Sequence, residues 1–123
     1  MPNWTAAALA LMLTAGTAFA HEARQGPNGG KVVDAGSQYH AELVARGTTE
    51  VVVHMSDAND KPIPAEGFRA NAILVVNGQT VRFAMQPAGG SRLVGTAPVV
   101  VPAGVRGAVQ ITSPNGATVQ ARF

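Results

Sequence analysis

Three histidines, His21, His40 and His54, and one carboxylate, Glu42, are the residues of this 123-residue chain whose types and spacing suit a transition metal. His21 directly follows Ala18-Phe19-Ala20, a small-x-small triplet of the kind that ends a secretory signal peptide. Cleavage after Ala20 would leave a free α-amine beside the His21 ring. An amine and an imidazole, with unperturbed pKa values of about 7.7–8.0 and about 6.5, yield their protons to a metal at neutral pH, and copper(II) stands highest in the divalent affinity order. For His40 and His54 the argument is geometric. If Arg46-Gly47-Thr48 is a three-residue hairpin loop, His40 stands directly opposite His54, with Cβ atoms about 4.5–5.5 Å apart, close enough to share one ion. Glu42, two residues from His40, shares that face and supplies an oxygen ligand or an acceptor for a liganding ring. A one-residue change of register separates the pair, and the competing reading is two histidines on a solvated sheet face. Met55 and Met85 alternate with core positions and read as packing rather than as thioether ligands.

Other chemistry lacks its parts. The chain has no cysteine, which removes disulfides, zinc-thiolate sites and thiol nucleophiles. It contains no Gly-x-Ser-x-Gly elbow, no His-Glu-x-x-His and no phosphate-binding Gly-Lys-Ser/Thr loop. Asp57 and Asp60 are close in sequence but lie in a turn, where such residues bond their own backbone. Asp57, Asn59 and Lys61 do not make a calcium loop, because a lysine replaces an oxygen ligand and the distal Glu is missing. The pI of about 9.7 comes from nine Lys+Arg against seven Asp+Glu, scattered along the chain. Two lysines and six aromatics provide neither a charged track nor a stacking platform for nucleic acid. The expectation is a protein that is not an enzyme and does not bind nucleic acid.

The elements that must position these residues are strands. At 13% charged residues, against about 25% in an average soluble chain, with 14 Gly and 8 Pro, the composition is that of one low-charge, turn-rich domain. Residues 1–20 form the signal peptide, and no later apolar run approaches the roughly 18 residues of a membrane span. His21 to Gly30 reads as a flexible arm and turn, and residues 31–123 as the domain. Within it, Lys31–Ala35, Gln38–Val44 and Glu50–Ser56 read as strands, and Asp57–Gly67 as a loop. Asn77-Gly78 is a two-residue hairpin turn between Arg69–Val76 and Gln79–Met85. Arg92–Thr96 is a short strand, Pro98 and Pro102 mark an edge segment, and Val105–Thr112 and Ala117–Phe123 form a last hairpin across Pro114-Asn115-Gly116. Turns every eight to twelve residues with no helix-period segment predict an all-β fold, a small antiparallel sandwich of seven or eight strands with immunoglobulin-like layering, or else a small open barrel. Alternation places Val51, Val53, Met55, Val81, Phe83, Met85, Val109 and Ile111 inward, joined by Ile73, Val75, Leu93 and Phe123. A domain of this size folds on such a core without a cofactor.

Gly26, Pro27, Asn28, Gly29, Gly30, Val32, Asp34, Gly36, Tyr39, Glu42 and Leu43 resemble the G-P-x-G-G-x-V-x-D-x-G-x-x-Y-x-x-E-L opening of small periplasmic proteins related to a domain of the periplasmic adaptor subunits of heavy-metal RND efflux systems. The valine strand, Asp57, the proline loop, the Asn77-Gly78 hairpin and the Pro87-Ala88-Gly89 turn follow the same pattern. Asn28 stands where related sequences often carry histidine, which removes one ligand. The resemblance implies a periplasmic β domain associated with metal export or tolerance. Together these readings predict an exported β domain that binds or buffers a copper or zinc ion through His40, His54 and Glu42, with His21 as an additional ligand. The rival is a protein-interaction module that docks on an efflux adaptor or envelope partner through a strand edge.

Overall fold

Asn77 and Gly78 both adopt positive φ, 51° and 76°, the pair of left-handed conformations that a two-residue hairpin needs. They join β5 (Arg69–Val76) to β6 (Gln79–Pro87), with Val76 opposite Gln79, as the sequence predicts. The computed structural model describes residues 22–123, and every strand pairing in it is antiparallel. The remaining strands are β1 (Arg24–Gln25), β2 (Lys31–Ala35), β3 (Tyr39–Ala45), β4 (Thr48–Asp57), β7 (Arg92–Val101), β8 (Arg106–Thr112) and β9 (Thr118–Arg122). β8 and β9 form the expected last hairpin, closed between Thr112 and Thr118. The segment read as a flexible arm contributes β1, which pairs with the start of β2.

The order around the sheet is β2–β3–β4–β7–β6–β5–β8–β9, and Ala35 opposite Ala121 returns β9 to β2. The fold is therefore a closed eight-stranded barrel. It matches the small-barrel alternative and corrects the two-layer sandwich. Two short ladders complete the closure, one residue pair between β2 and β9 and two between β6 and β7. Closure between β2 and β9 leaves the two-residue β1 as the edge strand of the sheet.

The core follows alternation on most strands. Val51, Val53, Met55, Met85, Leu93, Val109 and Ile111 are fully buried, and both methionines pack in the core as expected. On β5 the phase differs from expectation. Ala70, Ala72, Leu74 and Val76 point inward, while Ile73 is half-buried and Val75 exposed. From Ile73 onward both phases are apolar, so the hydrophobic pattern is silent, and the polar Asn71 sets the outward face. β7 also continues through Pro98 to Val101, where a short strand and a separate edge segment are expected. The register between β4 and β7 shifts between Thr48 and Glu50, and the irregularity accommodates the missing N–H of Pro98.

Candidate functional site on the outer face of β2, β3 and β4

β3 is buried on both faces. Ala41 and Leu43 point into the barrel, as alternation requires, yet His40, Glu42 and Val44 on the outer face are buried as well. Two segments cover them, the Gly26–Gly30 turn and the loop after β4. The turn is closed by Gly26 N–H donating to Gly30 O at 2.9 Å and Gly29 N–H to Gly26 O at 3.2 Å. Glu42 is what it closes around. Its carboxylate accepts from Asn28 N at 2.9 Å, Asn28 Nδ2 at 2.8 Å and Gly30 N at 2.8 Å. A Cβ at position 26 would overlap that carboxylate, which explains glycine there. Glu42, 3% exposed, thus makes three charge-assisted bonds to the turn and anchors it to β3. The same bonds account for the spacing of the Gly-Pro-Asn-Gly-Gly segment and Glu42: they are one fastening.

His40 sits one step along the same face, 8% exposed. Its Nδ1 lies 2.7 Å from Asp60 Oδ1 and its Nε2 3.2 Å from Asp34 Oδ1. A neutral imidazole donates to only one of two such acceptors. The Arg24 guanidinium, brought over from β1, also binds Asp60 Oδ1 and stands 3.5 Å from His40 Nδ1. The hydrogen bond from His40, and then that from Arg24, hold the Asp60 carboxyl below the usual range. Asp57 behaves as expected of a turn residue, its Oδ1 accepting from Asn59 N at 2.8 Å and Lys61 N at 3.0 Å. Asp60 does not: at φ 63° it directs its carboxylate across to β3. Glu22, Asp34, His40 and Asp60 line one cleft of about 360 Å³, with Arg24 at its wall.

The direct His40–His54 pair is not formed. His40 stands opposite Ser56 and His54 opposite Glu42. The expected three-residue loop is a wider connection, because Ala45 pairs with Val51 and the intervening chain turns toward β7, with Thr48 opposite Val101 and Gly47 N–H donating to Val101 O at 3.0 Å. The displacement is two residues, so both histidines keep the outer face and become diagonal neighbours. His54 is half-buried, and its pKa is lowered by burial first and by Arg92 and Arg46, against the raising influence of Glu42. Among the described residues no three His, Asp or Glu side chains stand ready-grouped as a metal cage. His21 and the signal peptide lie outside the described residues.

Asp34, Asp60 and Arg24 are the members of the cluster that sequence reasoning missed. For Asp34 a signal existed, since a hairpin across Gly36-Ser37 sets it directly opposite His40. For Asp60 and Arg24 none did, because a loop and an edge strand bring them together from sequence positions 36 residues apart. No family model matches the chain, and neither the curated proteins nor the solved structures yield a match.

Proposed function

We propose that the protein is an exported, periplasmic, non-enzymatic β-barrel that binds or buffers a copper or zinc ion in association with metal efflux or tolerance, and that His40 Nδ1 and Asp60 hold the ion while Asp34, on the other ring nitrogen, accepts from Nε2–H and orients the imidazole. The observation that carries the reading is the contact of Asp60 Oδ1 with His40 Nδ1 in a cleft also lined by Glu22 and Asp34. Imidazole and carboxylate donors without thiolate suit zinc or copper(II). Arg24 is the cation that compensates the Asp60 carboxylate, and a metal competes with it. The signal-peptide-like first 20 residues and the resemblance of the Gly26–Leu43 segment to periplasmic metal-efflux domains support the compartment and the association.

A docking module for an efflux adaptor or envelope protein is the second reading. It is favoured by Val99 and Val100, exposed on β7 within a stretch that carries no charge between Arg92 and Arg106.

Unfolding measured with and without zinc(II) or copper(II) separates the two. Metal at a hundred times its Kd should add about 2.7 kcal/mol to the stability of the parent. His40→Ala and Asp60→Asn should each lose that gain, while His54→Ala should keep it. A gain undiminished in both of those cleft variants removes the cleft as the site, and no gain in the parent leaves the docking reading in its place. The intact mass of protein recovered from the periplasm tests export through a start at His21.

A further inference from the structure

His54 belongs to a different cavity from His40, and its surroundings suit a different ligand. The cavity, of about 280 Å³, has the apolar side chains of Val44 and Val52 among its lining, together with His54, Thr48, Arg46 and Arg92. Its two arginines stand on either side of β4. Arg92 begins β7, directly opposite His54, and Arg46 follows the last residue of β3. Each guanidinium has a backbone partner: Arg46 Nη2 donates to Asn28 O at 3.3 Å and Arg92 Nη2 to Ala88 O at 2.7 Å. Among the described residues neither is paired with a carboxylate. Glu42, the carboxylate opposite His54, is bonded to the Gly26–Gly30 turn. Glu50 is the one acid among the lining residues, so the cavity wall carries two arginines against one carboxylate.

We infer that this cavity binds a small dicarboxylate, its carboxylates taken by Arg46 and Arg92 and its carbon chain lying against Val52. Guanidinium forks match carboxylates with paired N–H donors, and both arginines keep donors beyond the backbone bonds they now make. The half-buried Val52 side chain offers a carbon-bearing anion a contact that an inorganic one cannot use, and the volume restricts the ligand to a small molecule. His54 is the built-in reporter. The charged groups around it are Glu42 from β3, Arg92 from β7, Arg46 after β3 and Glu50 on its own strand. An anion between the arginines opposes their repulsion of the imidazolium and raises the His54 midpoint.

The test is an NMR titration of the histidine ring resonances with succinate, at ionic strength held constant with sodium chloride. Saturable movement of the His54 signals is expected, with a raised His54 midpoint and an unmoved His40 as the internal reference. Arg46→Gln and Arg92→Gln should each weaken binding by about tenfold or more. Glu50→Gln should tighten it. Urea midpoints of the variants, all at exposed positions, establish that each is folded. A response that chloride alone reproduces, binding unchanged in the double arginine variant, or inorganic phosphate binding as tightly as succinate would overturn the inference.

Discussion

At Glu42 three N–H donors converge on one buried carboxylate, and the consequence is local stability. Glu42→Ala leaves the Asn28 and Gly30 donors without their acceptor and should cost about 1.5–3 kcal/mol in urea unfolding, with hydrogen exchange at Gly30 N–H accelerated by more than that at core amides. Two shifted groups on the same face predict the pH response. His54 has a folded pKa below its unfolded value, so it takes up a proton more readily once unfolded. Its contribution to stability is complete above about pH 6.5 and is lost as pH falls through the lower folded value. Asp60, also lowered, contributes above about pH 4 and loses its contribution only in stronger acid. Between pH 7.5 and 5.5 the melting temperature of the parent should therefore fall more than that of His54→Gln. The loss below pH 4 should shrink in Asp60→Asn. A His54→Gln profile parallel to the parent between pH 7.5 and 5.5 would contradict the assignment of that titration to His54. The difference between these residues was not legible in advance. His40, Glu42 and His54 are equally plausible donors as letters, and only their partners distinguish a fastened carboxylate from an imidazole between two aspartates or one beside two arginines.

Among the elements, hairpins with short turns were legible and strand phase was not always. Asn77-Gly78 dictates its own geometry, because both residues tolerate the left-handed region and the strands on either side have no alternative turn nearby. The β3–β4 connection carries no such instruction. Gly47 permits a turn, but the place where β3 and β4 resume pairing depends on Thr48 and Val101 meeting across β4 and β7, which are far apart in sequence. That displacement turned an expected direct His40–His54 pair into a diagonal one. β5 offers the sharpest check on strand phase. Leu74→Ala should cost about 2–5 kcal/mol as a cavity in the core, whereas Val75→Ala, on the exposed face, should stay within about 0.5 kcal/mol. Chemical denaturation of the two variants decides it, and equal costs would mean that both faces of β5 are covered.

For the molecule as a whole, the sequence by itself determined the class, one all-β antiparallel domain of short strands, since period-2 alternation, Asn-Gly and Pro-Asn-Gly turns and the absence of helix-period segments are local properties with local causes. It also limited the chemistry: without cysteine no thiolate is available to a metal, so imidazole and carboxylate lead the remaining donors. What only the tertiary structure decided is everything that depends on contacts between distant segments. Closure into a barrel rests on Ala35 meeting Ala121 and on the short β6–β7 ladder, and alternation is the same whether such seams form or stay open. The outer face of β3 is buried because the Gly26–Gly30 turn and the Asp60 loop fold over it, so residues that alternation assigns to solvent acquire fixed partners. Those partners separate the face into a carboxylate–imidazole cleft at His40 and an arginine-lined cavity at His54. The physical reason is the same in each case. Backbone propensity acts over a few residues, whereas the environment of a side chain is set by whichever segments the closed sheet brings across it.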